Sequence, residues 1–210
     1  MLGQAPKLSV AGRTDAGVHA WGQVASFVAS DGVDPERIQR GLNGILGPEV
    51  VVREAAVAPD RFNARHSATG REYVYRIRTA IVPDPFIARF VWHHPGSLRI
   101  APMRRAAQLL TGEHDFASFC RAPQMPASTV RTLRRLTVAR SLDEIAIRAG
   151  ADSFLHQMVR SIVGTLVAFG EDRIEPEAMP GILAGRDRSA AGQIAPSHGL
   201  TLVRVIYGRR

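Results

Sequence analysis

The hydrophobic pattern along the 210-residue chain changes period repeatedly, between two and about 3.6, so strands and helices are mixed. A short strand is predicted at residues 9–11, followed by the turn Gly12-Arg13-Thr14-Asp15-Ala16-Gly17. Residues 18–28 then read as one strand, with Val18, Ala20, Val24 and Val28 on one face and Trp21 and Phe27 on the other. Asp34 and Pro35 start a helix whose apolar stripe, Ile38, Leu42, Ile45 and Leu46, ends at Gly47-Pro48. A strand is expected at residues 50–57 and a polar loop at 60–70. Residues 71–79 alternate, with Tyr73, Tyr75 and Ile77 on one face and Arg76 and Arg78 on the other.

The second half continues in the same mixed manner. Residues 83–95 contain three prolines and read as a long connection, the expected boundary between an N-terminal half, 1–82, and a C-terminal half, 83–210. A helix is predicted at 103–110, a short helical turn at 113–119, and strands at 129–139 and 144–148. The strongest helix is 155–169, with Leu155, Met158, Val159, Ile162, Val163, Leu166 and Val167 spaced for burial and Gly170 at its end. A shorter helix at 176–184 and a strand at 200–207 close the chain. Hairpin-like turns and single helices between the strands predict an α+β protein on a largely antiparallel sheet.

Composition narrows the function classes. The formal charge is +8, and of 27 basic residues all but Lys7 are arginine. Arginine presents a flat, permanently charged fork that pairs with phosphate and stacks on bases, so RNA is a candidate partner; arginine-rich codon usage would give the same composition. A single cysteine, Cys120, leaves no internal disulfide framework, no apolar run reaches the roughly 18 residues of a membrane span, and residues 1–7 lack a leader pattern. A cytoplasmic protein without membrane contact is expected. The seven histidines show no metal-ligand spacing, and no glycine-rich phosphate loop is present, so neither metal nor cofactor is expected.

The turn at residues 12–17 is the most informative stretch. Asp15 is the one carboxylate between residues 1 and 28, bracketed by two glycines and two residues after Arg13. Such an acid is either a nucleophile or base held ionised by a cation, or a turn residue bonding its own backbone. Arg160 interrupts an apolar helix, where an unpaired guanidinium is costly, and therefore needs a partner. Tyr73 reads as core on an alternating strand, while Arg61, Arg65 and Arg71 either contact phosphate or are simply solvated.

Five ordered blocks then resemble the tRNA pseudouridine synthase A family. They are Gly12-Arg13-Thr14-Asp15-Ala16-Gly17-Val18-His19-Ala20; residues 62–68 with Arg71-Glu72-Tyr73-Val74-Tyr75; Gly112-Glu113-His114-Asp115-Phe116; Phe154-Leu155 with Met158-Val159-Arg160 and Ile162-Val163-Gly164; and Ala195-Pro196 with Gly199-Leu200 and Val205-Ile206-Tyr207. The resemblance implies the pseudouridine synthase fold, two similar α/β halves around a catalytic cleft. It implies conversion of uridine to pseudouridine on the 3′ side of the tRNA anticodon stem-loop by a homodimer, without a cofactor. It makes Asp15 the catalytic aspartate, Arg160 its ionic partner, and Tyr73 the residue that stacks on the base and helps take the proton from carbon-5. Arg13 would insert into the RNA or assist base flipping, with Arg65 and Arg71 on phosphate.

The family's opening strand with its Asp-Gly-aromatic-Gly-Trp block, and the helix after it, have no counterpart before Gly12. A start codon placed too late is the expected reason, against a truncated gene or a remnant. A truncated, non-catalytic RNA-binding protein of the same fold is the alternative function. A basic structural protein of an RNA-protein particle, or a hydrolase using Asp15 and Asp115, accounts for fewer of these residues.

Overall fold

Two local rules set the first elements: an aspartate before a proline starts a helix, and alternating apolar positions lie flat on a sheet. The computed structural model describes residues 6–121 and 125–208; residues 1–5, where the leader reading begins, lie outside them. The chain divides into two compact units. One comprises the described part of Met1–Ala11 with Val24–Ala68; the other comprises Gly12–Gln23 with Thr69–Arg210.

In the first unit, β1 (Ser9–Val10) pairs antiparallel with β3 (Ala25–Ser26). Helix α1 (Pro35–Leu46) starts where the Asp34 carboxylate accepts from the Glu36 N–H at 3.0 Å. No residue of α1 is buried, and Ile45 and Leu46 of its predicted stripe are exposed. Residues 50–57 form no strand, contrary to expectation. The reason lies in α1: the Asn43 amide bonds both the N–H and the C=O of Val52 (2.6 and 3.0 Å), and Gln39 donates to the carbonyls of Val52 and Arg53. Side-chain amides thus take the backbone groups that a neighbouring strand would otherwise use.

The second unit is built on a seven-stranded mixed sheet. Its order is β2 (His19–Ala20), β9 (Leu200–Tyr207), β4 (Ala68–Arg78), β8 (Glu144–Ala151), β7 (Val130–Ser141) and β6 (Gly112–Asp115), with β5 (Trp92–His93) also on β4. The long pairs β4–β8, β7–β8 and β6–β7 are antiparallel, and the two-residue pairs β2–β9 and β4–β5 are parallel. Alongside stand α2 (Ile100–Leu109), α3 (Met158–Gly170) and α4 (Met179–Gly185). The chain is therefore α+β, with an antiparallel sheet over its long strands.

The predicted strand at 18–28 is two short pieces in different sheets. Trp21 and Gly22 both donate to the Leu202 carbonyl (2.8 and 3.3 Å), which ends the β2–β9 ladder, and the chain leaves before it can pair further. The predicted helical turn at 113–119 is β6 followed by a 3-10 turn at Ala117–Phe119. The predicted helix at 155–169 begins later, at Met158, because Gln157 takes a left-handed conformation (φ 57°) and Met158 to Gly170 follow as helix. All of α3 but Arg160 is buried, and it packs on α2, which in turn lies on β7. Opposite the face that holds Tyr73, Tyr75 and Ile77, forked pairs tie the strands together: Arg76 to Glu144 at 2.9 and 2.7 Å, and Arg204 to Glu72 at 3.1 and 2.9 Å.

Candidate active site

The loop before β2 carries Asp15 to the start of α3. Gly17 sits at φ 83°, and the Asp15 carbonyl accepts from Val18 N–H at 3.1 Å, closing a turn. A side chain at Gly17 would be strained by that φ, and its Cβ would come within 2.7 Å of Ser197 Oγ, so a glycine is required here. Gln23 holds the other end of the loop, donating from its amide to Gly12 C=O at 2.7 Å and accepting from Gly12 N–H at 3.3 Å.

Arg160 is the one charged residue of α3, and the structure gives it two acceptors. Its Nη1 donates to Asp15 Oδ2 at 2.5 Å and its Nε to Ala195 C=O at 2.8 Å. The Asp15 and Arg160 side chains are 24% and 15% exposed, so the pair is shielded without being sealed. Low exposure strengthens the attraction and makes loss of either partner costly. The first turn of α3 thus presents a cation against the Asp15 carboxylate, the partner that its position on an apolar helix requires.

The Ala195 support depends on the segment that runs along α3. Ala195 N–H donates to Arg160 C=O (3.1 Å), and Gly192 N–H to Thr165 Oγ1 (2.9 Å). A Cβ on Gly164 would lie 1.6 Å from Gln193 O, so only glycine permits this approach. Gly164→Ala is expected to push residues 192–195 off the helix, destabilise the protein by about 2–3 kcal/mol and loosen Arg160, readable as a lower urea midpoint.

Tyr73 lies on β4 on the same side as Arg71 and Tyr75. Its ring meets Phe154 edge-on at 5.2 Å, and its hydroxyl lies 3.5 Å from where a Cβ of Gly12 would stand. Burial pushes the Tyr73 phenol up to about 12, with Arg71 pulling it down and Asp15 pushing it further up. The phenol therefore carries its proton at neutral pH, between a cation and the candidate carboxylate. Arg71 itself donates to Asp152 C=O at 2.9 Å. Tyr75, one step along the same face, is fully buried; its hydroxyl donates to Pro196 C=O at 2.7 Å, and burial raises its pKa strongly.

Asp15, Arg160, Tyr73 and Arg71 thus come together in the second unit. Arg13 is exposed on the same loop as Asp15. Arg65 belongs to the first unit, where its backbone N–H donates to Asn63 Oδ1 at 3.0 Å. Asp115, the second acid of the hydrolase alternative, is engaged elsewhere: it accepts from Thr129 Oγ1 at 2.5 Å and Ala117 N–H at 3.0 Å and pairs with Arg186, which together hold its carboxyl below the usual range.

One neighbour escaped sequence reasoning. His156 Nε2 stands 3.6 Å from Asp15 Oδ1. It is a polar residue four positions before Arg160, inside the block that carries the family resemblance; that spacing on a helix approach was the available signal.

Known proteins match this chain, and Arg160 and His156 lie within the part matched by a family model. The family model for tRNA pseudouridine synthase matches residues 106–208. The tRNA pseudouridine synthase A of Geotalea daltonii is 41% identical over 207 residues, covering 99% of this chain and 85% of the relative. That of Moorella thermoacetica is 46% identical over 198 residues (94% and 80%), and that of Bacillus subtilis 41% over 196 (93% and 79%). The chain belongs to the tRNA pseudouridine synthase family.

Proposed function

We propose that this protein converts uridine to pseudouridine in tRNA, on the 3′ side of the anticodon stem-loop, acting as a homodimer. The observation that carries the reading is the shielded Asp15–Arg160 contact beside the Tyr73 phenol. Asp15, held by Arg160, drives release of uracil from its ribose so that the ring turns and rejoins through carbon-5. Tyr73 enters protonated, so it serves first as a hydrogen-bond donor to the base and as a relay for the carbon-5 proton. Only 9% of Tyr73 is exposed, so a base that stacks on it displaces what covers the ring as it enters. Arg71 beside Tyr73, and Arg13 and Arg65 on the surface, serve phosphate and base extrusion, and the +8 charge supplies attraction along the RNA backbone.

Tyr73→Phe separates the phenol from the ring. It is expected to slow product formation by about 10²-fold or more while tRNA affinity stays within about threefold. The reading is tested by incubating an unmodified tRNA transcript with the full chain and mapping pseudouridine by position. Product confined to the 3′ side of the anticodon stem supports it. Tight tRNA binding with no product would favour a non-catalytic RNA-binding protein of the same fold.

A further inference from the structure

The two carboxylate oxygens of Asp15 meet different surroundings. Oδ2 is held by Arg160, itself anchored to Ala195 C=O. Oδ1 faces His156, whose side chain is 46% exposed. We propose that Oδ1 is the oxygen that acts on the nucleotide, and that His156 is a positioning residue that covers it when the ring is protonated and frees it when the ring is neutral. The inference rests on the uridine-isomerase reading and assigns an atom and a neighbour within it.

The argument comes from the other side of the ring. His156 Nδ1 contacts the Arg121 carbonyl, and the His156 carbonyl accepts from Arg121 N–H at 3.1 Å. These two contacts clamp the histidine to the segment that follows the 3-10 turn Ala117–Phe119. A carbonyl can only accept, so Nδ1 is the nitrogen that carries hydrogen. A neutral imidazole has one N–H, which leaves Nε2 bare and facing a carboxylate. Two acceptors do not bond, and the 3.6 Å gap is longer than a hydrogen bond. Oδ1 is then uncovered. Protonation places a hydrogen and a positive charge on Nε2, and the cation takes Oδ1 just as Arg160 takes Oδ2. An aspartate held on both oxygens by cations is a weaker nucleophile and a weaker base.

Three elements surround this ring. The loop before β2 brings the Asp15 carboxylate, helix α3 brings the Arg160 guanidinium on the far oxygen, and the 117–121 segment brings the backbone of Arg121. Arginine as a residue type stays charged throughout the working range, whereas imidazole is the side-chain type whose charge changes within it. The sign follows: activity is low where histidines as a class are charged and rises through roughly pH 5 to 8.

Single-turnover pseudouridine formation is measured from pH 5.5 to 8.5 with the full chain, His156→Phe and His156→Lys, with tRNA binding followed in parallel. The parent rate is expected to rise about tenfold over this range, while His156→Phe, which cannot titrate, varies less than about twofold. His156→Lys, a permanent cation, is expected to be at least about tenfold slower than the parent at pH 8. Binding should keep the same pH dependence in all three, which separates this role from an RNA contact. The inference is overturned if His156→Phe keeps the parent's acid limb, if His156→Phe is silent at every pH, or if His156→Lys equals the parent at pH 8. A parent that makes no product at any pH defeats the isomerase reading and this inference with it; an active parent with an unaltered phenylalanine profile defeats the inference alone.

Discussion

Arg160→Met is expected to slow pseudouridine formation by about 10²- to 10³-fold and to lower stability by about 2–3 kcal/mol. Both effects follow from what the guanidinium touches. Its Nη1 holds Asp15 Oδ2 and its Nε holds Ala195 C=O, with only 15% of the side chain exposed. Methionine keeps the length and packs on the apolar stem path, so the loss is electrostatic rather than steric. It strands a partly buried carboxylate and a carbonyl together. An Arg160→Lys variant should fall between, because one ammonium can satisfy either acceptor but does not span both as the fork does. Single-turnover rates and urea denaturation on the same variants check the two effects separately.

Asp15→Ala is expected to cost at least about 10⁴-fold in product formation while tRNA affinity changes by less than about threefold. The size of the first effect reflects the geometry: among the described residues the Arg160 side chain bonds only Asp15 and the Ala195 carbonyl, and the Tyr73 ring meets Phe154, so no second carboxylate stands ready to inherit the role. The smallness of the second reflects charge. Asp15 is one acid in a chain of net +8, and removing it lessens repulsion of a polyanion rather than removing an attraction. Asp15→Asn should be nearly as inactive, since an amide neither carries the charge nor accepts from Arg160 on equal terms. Chemical mapping of pseudouridine beside gel-shift titration reads both quantities.

How far the sequence reveals such a site depends on whether a residue's role is local. β4 and β8 were legible because Tyr73, Tyr75 and Ile77 and their partners alternate along strands buried on one side. Helix α3 was legible because its residues are apolar or small and uncharged with one exception, and that exception, Arg160, announced a partner. The partner's identity came from the family resemblance and not from spacing, since 145 residues separate Arg160 from Asp15. The strand expected at 18–28 kept its alternation but lost its continuity, because pairing is set by Leu202 and by Val10, which are distant in sequence. Residues 50–57 have valines enough for a strand, yet Gln39 and Asn43 bond their backbone from α1. His156 escaped notice for the same reason. Its meaning lies in the Arg121 carbonyl on one side and Asp15 on the other, neither near it in the chain.

The central claim, that Asp15 drives uridine isomerisation, is tested most directly by tritium release from tRNA carrying carbon-5-labelled uridine. The carbon-5 hydrogen leaves only when the base rejoins its ribose through that atom, so release counts the reaction itself and not RNA binding. The account predicts release with the parent chain at neutral pH and none above background with Asp15→Ala. Equal release from both proteins, or none from a folded parent that binds the tRNA, would contradict it.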